Sequence, residues 1–229
     1  MSKVQAGLAH FLHEASSSDL EIHYSEGHEE NEMVGNATDF IVGISSVKIL
    51  YLSAETLEVL TYCCEAIPLF INLTRLTVES KPEIGWQSLP GLLKNSPNLE
   101  TLVLQGLGHK ATVRCGDMCL CEPFEEEMEE EEEIPPCCLS SSPVKVLKIL
   151  KFGKIYDDEI EQVKLFLEMM PNLEQLIIHC DESFGKDLVE VSNQLQMLPR
   201  VASPKCNVQL ISGDGHVSLS STVTSSSMK

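Results

Sequence analysis

A chain of 229 residues with 43% hydrophobic residues is long enough to bury a sizeable core, as one domain or two small ones. Its 35 acidic residues against 16 basic ones give a net charge of −19, which opposes binding to nucleic acid and to anionic membranes. No apolar run approaches the ~18 residues of a membrane span, and Met1-Ser2-Lys3-Val4-Gln5-Ala6 leads into His10, His13 and Glu14 rather than an apolar leader core.

Without a leader, nine scattered cysteines read as reduced thiols of a cytoplasmic or nuclear protein, and the sequons at Asn36 and Asn72 are expected to be unused.

In chain order, Val4, Leu8, Phe11 and Leu12 predict a helix over about 3–14, with Ser2 as its cap. Leu20, Ile22 and Tyr24 alternate like a half-buried strand. Val34, Phe40, Ile41 and Ile44 predict a helix interrupted by Gly35 and Gly43. Residues 1–33 thus form an N-terminal unit without a clear partner surface.

A repeated phrase then takes over. Ser96-Pro97-Asn98-Leu99-Glu100-Thr101-Leu102-Val103-Leu104 returns as Met170-Pro171-Asn172-Leu173-Glu174-Gln175-Leu176-Ile177-Ile178. Its apolar skeleton occurs three more times, at Val47-x-x-Leu50-x-Leu52, Leu73-x-x-Leu76-x-Val78 and Val144-x-x-Leu147-x-Ile149. The five copies are separated by 26, 26, 45 and 29 residues, which fits a leucine-rich repeat with one inserted segment of about 16–19 residues. The fold class expected is α/β, a leucine-rich-repeat solenoid with a curved parallel sheet and helices on its convex side.

Between the strands, Leu57, Val59 and Leu60 lead to Cys63-Cys64 before Pro68 breaks the chain. Ser88-Leu89-Pro90 looks like a helix entrance with Ser88 as cap, and Trp86 is expected to cover the edge of the core. The repeats occupy 34–107. The segment 108–136 holds Cys115, Cys119 and Cys121 and then eight glutamates in the nine positions Glu125–Glu133, a composition that predicts a disordered excursion. After it, Ile160, Val163, Phe166, Leu167 and Met170 form one helical stripe, with Asp158, Glu159, Glu161, Lys164 and Glu168 off it and Asp157 or Asp158 as cap. Leu188, Val191, Leu195 and Leu198 predict a further helix ending at Pro199. Cys206-Asn207-Val208-Gln209-Leu210-Ile211 reads as a terminal strand, and 212–229 as a disordered tail.

Chemistry is sparse. A metal reading starts from Cys115-x3-Cys119-x-Cys121 with His109 upstream and Cys137-Cys138 downstream, because thiolate and imidazole are zinc ligands. That spacing matches no common zinc module, so loop thiols are expected, with no metal and no cofactor. No nucleophile with a positioned base and oxyanion donor, no phosphate-binding glycine loop and no paired carboxylates of glycosidase type are present, so no enzyme is expected. A binding surface remains. Side chains alternate along a strand, so the residues between the buried leucines share the exposed face. One row is Ile49, Arg75, Thr101, Val146 and Gln175; a second is Tyr51, Thr77, Val103, Lys148 and Ile177. These rows are mixed and less acidic than the chain, as a protein-binding groove would be.

Longer phrases carry a family resemblance. Pro135-Pro136-Cys137-Cys138-Leu139-Ser140-Ser141-Ser142-Pro143-Val144-Lys145-Val146-Leu147-Lys148-Ile149 resembles the opening of the FBD domain. Glu161-Gln162-Val163-Lys164-Leu165-Phe166-Leu167-Glu168 and Met170 to Leu176 resemble its middle, and Gln194 to Arg200 with Ser203 to Cys206 its end. Asn36 to Phe40, Lys48 to Ser53 and Gly85 to Lys94 are similar to the leucine-rich repeats of plant F-box proteins that carry this module. The resemblance covers about 34–211 and places the FBD module at 137–211. It implies substrate recognition for a ubiquitin ligase, without catalytic residues. Family members open on an F-box, a helical module beginning with a Leu-Pro phrase, which recruits a Skp-type adaptor and cullin. Residues 1–33 hold no such phrase, so adaptor and cullin are expected as partners only where an F-box lies upstream. The alternative function is an acidic leucine-rich chaperone or inhibitor that holds basic proteins through the glutamate run.

Overall fold

The computed structural model describes residues 3–6, 37–64, 66–112, 115, 118–120, 138–153, 156–180, 188–198, 203–212 and 215–219, with backbone alone at 3–6, 156–157, 188 and 215–219. Eight strands form one sheet in chain order: β1 Lys3–Ala6, β2 Ile49–Leu52, β3 Arg75–Glu79, β4 Thr101–Gln105, β5 Val146–Phe152, β6 Gln175–Cys180, β7 Asn207–Ser212 and β8 Gly215–Leu219. Neighbours from β1 to β7 are parallel, and β8 returns antiparallel to β7. Parallel neighbours need a return leg, and helices supply most of them. They are α1 Thr38–Gly43, α2 Ala54–Cys63, α3 Leu89–Lys94, α4 Tyr156–Met169 and α5 Leu188–Met197. The architecture is α/β and compatible with leucine-rich repeats.

The repeated phrase explains the register. Its apolar residues at the inner positions of β2 to β6, Leu50, Leu52, Leu76, Val78, Leu102, Leu104, Leu147, Ile149, Leu176 and Ile178, are fully buried. Each contributes about 1.5–3 kcal/mol of hydrophobic stabilisation relative to an exposed side chain. The strands start two residues later than the repeat does. Val47, Leu73, Leu99, Val144 and Leu173 are buried ahead of the ladder, where a tight turn tucks them inward. In that turn the Leu99 N–H donates to Ser96 O at 3.1 Å and the Leu73 N–H to Phe70 O at 3.2 Å.

The phrase's asparagine has its own task. Asn98 Nδ2 donates to Ile71 O at 2.8 Å and Asn172 Nδ2 to Ser142 O at 2.9 Å, each reaching the turn of the preceding coil. Asn72 does the same toward Ser46 O at 3.4 Å. One carbonyl per coil then serves two donors of the next: Thr74 O accepts from Glu100 and Thr101, and Glu100 O from Lys145 and Val146. Backbone polar groups at the turns thereby find partners within the chain.

Return legs pack one buried cluster that runs from Ile41 to Leu210. Ser53 caps α2 by accepting the Thr56 N–H at 3.3 Å. Ser88 does not cap α3 with its side chain; buried, it donates to Leu57 O at 3.2 Å and ties one return leg to the previous one. In α4 the stripe Ile160, Val163, Phe166 and Leu167, with Met170 just past the helix end, is buried as its spacing predicts.

Several expectations change. Residues 3–6 are a strand rather than the first turn of a helix, because pairing with β2 satisfies their backbone along the sheet edge. Residues 215–219 are a strand on β7, so order extends past 212. Asp157 and Asp158 lie inside α4, which starts at Tyr156. Glu159, expected on the solvent side, is buried and accepts the Gly153 N–H at 2.5 Å, a bond that offsets burial of its charge. Trp86 lies within the core, 1% exposed, rather than at its edge. The expected strand at 20–24 and the glutamate run lie outside the described residues. The inserted segment does not leave the molecule at 108: Cys115, Met118 and Cys119 are buried in the main cluster.

Candidate protein-binding face

Register brings the candidate residues together. Ile49, Arg75, Thr101, Val146 and Gln175 are successive pairing partners across β2 to β6, and Asn207 of β7 extends the row. Tyr51, Thr77, Val103, Lys148 and Ile177 form the second row, extended by Gln209. Both rows pass unbroken over the 45-residue step, since Thr101 pairs with Val146 and Val103 with Lys148. Arg75 and Gln175 are exposed, and Ile49, Tyr51, Thr101, Val146, Lys148 and Ile177 are half-buried. Thr77 and Val103 are not free contact surface, at 9% and 2% exposure. Strands about 4.8 Å apart leave Thr77, between Tyr51 and Val103, with its flanks filled.

Two residues further along the strands lies a third row, Glu79, Gln105 and Leu150, which the six-residue repeat pattern stops short of. Continuing the alternation past the last leucine would have found it. The backbone then changes: Lys151 takes φ 58°, where the register of β5 against β6 shifts between Ile149 and Phe152.

The first two rows carry Arg75 and Lys148 and no acidic side chain, on a chain of net charge −19. The third row joins them electrostatically. The Tyr51 hydroxyl donates to Glu79 Oε2 at 3.4 Å, and burial, with the Glu79 charge beside it, pushes the phenol above its ordinary range. Nearby, Lys81 pairs with Glu55; the ammonium's hydrogen bond holds the Glu55 carboxyl below its usual range.

Three of the described thiols are held toward their protonated form. Burial pushes Cys63 and Cys64 up, and burial followed by the Glu159 charge pushes Cys180 up to about 11. A thiol raised in this way is protonated at neutral pH and inert. Of the metal candidates, His109, Cys115 and Cys119 come together, their ligand atoms within 4.8 Å of one another. Cys138 is buried in the core, while Cys121 and Cys137 lie outside the described residues. A cavity of about 390 Å³ adjoins this cluster, lined by His109, Leu107, Asp158, Glu159 and Gln162 among others; none of its lining residues belongs to the rows.

Comparison with known proteins gives the rows their context. An F-box/LRR-repeat protein of Arabidopsis thaliana is 59% identical over 207 residues, covering 89% of this chain and 42% of that protein. Another Arabidopsis thaliana protein, named as an F-box protein, is 63% identical over 202 residues, 86% of this chain and 40% of its own length. A third from the same plant, named as an F-box/FBD/LRR-repeat protein, is 49% identical over 199 residues, 82% of this chain and 37% of its own length. The chain belongs to the plant F-box/FBD/leucine-rich-repeat family. It spans about 40% of the length of these curated relatives. No family model matches it, and no solved structure does. Among the described residues, no helix is long and apolar enough to cross a membrane.

Proposed function

We propose that this chain is a non-enzymatic interaction module, the substrate-recognition part of an SCF-type ubiquitin-ligase receptor, and that its target protein lies on the exposed face of the sheet. The solenoid curvature that would make this face concave, with helices on the convex side, belongs to the same reading, as does an FBD module at 137–211 continuing the repeats. Skp-type adaptor and cullin are partners of a whole receptor that carries an F-box. A cytoplasmic or nuclear location suits such a receptor and its reduced thiols.

The observation that carries this reading is the pair of rows continuing in register across the 45-residue step, with Arg75 and Lys148 as cations on a strongly acidic chain. The relatives' names support the receptor context, as F-box/LRR-repeat proteins. A basic face element within an acidic protein selects partners by complementarity more than by area.

The test compares partner capture from plant extract by three forms of the chain. Arg75→Glu combined with Lys148→Glu is expected to lose the partners that the unaltered chain retains, whereas deletion of Glu125–Glu133 keeps them. The opposite pattern, loss on deleting the glutamate run and retention on reversing the two cations, overturns this reading in favour of an acidic chaperone or inhibitor of basic proteins.

A further inference from the structure

Two sulfurs and one imidazole converge in the segment that follows β4. His109, Cys115 and Cys119 each offer a ligand atom, and the three atoms lie within 4.8 Å of one another. We propose that they form a zinc-class metal site that closes this segment on itself, with His109 held against Trp86 of the core, before the glutamate run begins.

The donor chemistry favours a soft or borderline dication, because thiolate and imidazole bind Zn²⁺ at about 2.3 Å and 2.0–2.1 Å. Those bond lengths place tetrahedral donors about 3.3–3.8 Å apart. The observed upper bound of 4.8 Å exceeds that figure by about 1 Å, a distance on the scale of a side-chain adjustment. Two thiolates and a neutral imidazole also balance a dication, so the loaded site holds no net charge. That matters here, since Cys115 and Cys119 are both buried and an uncompensated charge beside them would be costly.

The surroundings support the same atoms. His109 Nδ1 lies 2.8 Å from Leu107 O. With the ring proton donated there, Nε2 is the nitrogen that takes a metal, the arrangement by which ligating histidines are oriented. The imidazole also stacks on Trp86, centroids 3.9 Å apart and planes 10° from parallel, so its plane is fixed. Trp86 is itself held by its indole N–H donating to Ser80 Oγ at 3.1 Å. The Thr112 hydroxyl is 3.1 Å from Cys115 Sγ, where it can donate to a thiolate.

The backbone is stapled at the same place. Lys110 N–H donates to Ile84 O at 3.1 Å, and Gly85 bridges to Lys110. A Cβ on Gly85 would come within 2.9 Å of Thr112 Cγ2, so a glycine permits this approach. Further on, Gln162 of α4 donates to Met118 O. Core packing by thiols accounts for Cys138 and Cys206, which are buried outside this cluster; it does not account for an oriented imidazole beside two sulfurs.

Binding exchanges two thiol protons for the metal. The experiment uses the full chain, reduced and stripped with a chelator, titrated with Co²⁺ and then Zn²⁺. One Co²⁺ per chain is expected, with thiolate charge-transfer and tetrahedral d–d absorption that Zn²⁺ abolishes. Fluorescence of Trp86, the chain's one tryptophan, should change over the same titration. Thr112→Val should weaken Zn²⁺ affinity about 10–100-fold, as loss of an outer-shell partner does, while Cys64→Ser leaves it unchanged. Cys119→Ser should lose the charge-transfer bands. Should that variant fail to fold, alkylation of the unaltered chain decides: zinc is expected to protect Cys115 and Cys119, mapped by mass spectrometry. Absence of a Co²⁺–thiolate band in the unaltered chain, or equal alkylation of both cysteines with and without zinc, overturns the proposal.

Discussion

The coils before and after the 45-residue step follow one ladder but close it with different return legs. Before the step, strands repeat every 26 residues, and the return legs contain the 10-residue α2 and the 6-residue α3. After it, the 14-residue α4 and the 10-residue α5 make the return, over 29 residues and then a longer interval. Yet Leu102 in the first set and Leu176 in the second occupy the same register position, joined through Leu147, and all three are fully buried. The difference teaches that the apolar skeleton of the repeated phrase sets the ladder, with asparagines tying three of its turns, and that the length of a return leg is free as long as it brings an apolar stripe back onto the sheet.

Substituting the shared position in each set tests that lesson most strongly. Leu102→Ala and Leu176→Ala should each cost about 2–5 kcal/mol, the range for a large-to-small change in a packed core. Urea unfolding should show both variants shifting one common transition. Two transitions, each moved by one substitution alone, would separate the sets into independent modules.

The asparagines give a smaller and unequal effect. Asn172→Ala removes a partly buried bond and should cost about 1–1.5 kcal/mol; Asn98→Ala removes an exposed one and should cost about 0.5 kcal/mol. Chemical denaturation of the two variants checks the order, and equal losses would mean that solvent reaches both turns alike.

Least costly is the Glu55–Lys81 pair, which belongs to the first set alone among the described residues. Both side chains are substantially exposed, so the pair is screened and weak. The sign still follows from Glu55. Its carboxyl titrates lower in the folded chain than in the unfolded one, so the pair's stabilisation is present above the ordinary carboxylate range and is lost as pH falls through the lowered value. Lys81→Met should therefore flatten the acid limb of the stability profile slightly, and high salt should erase the difference between the variant and the parent chain.

Much of this was legible in the sequence because period-2 burial leaves a plain trace. The repeat skeleton located β2 to β6 within two residues and placed both candidate rows in register. What escaped was whatever depended on contacts between distant segments. Val4 and its neighbours fit a helical spacing, but an open sheet edge at β2 claims 3–6 as a strand. Glu159 read as solvent-facing, and it is buried because a backbone group, the Gly153 N–H, meets its carboxylate. Val103 fits the exposed face by alternation, yet it is 2% exposed. His109, Cys115 and Cys119 match no common metal spacing, and the contacts that hold their segment, the Trp86 stack on His109 and the Gly85 bridge to Lys110, come from another part of the chain.

The central claim is that one register, and with it one exposed face, continues across the step between β4 and β5. Thr101→Cys combined with Val146→Cys tests it directly, since paired residues on adjacent strands lie within disulfide reach. Under mild oxidation, mass spectrometry of the double variant should find position 101 joined to position 146 in a chain that keeps its unfolding midpoint. No bond in that variant, with one formed instead in the companion Thr101→Cys, Lys148→Cys variant, would contradict the continuous face.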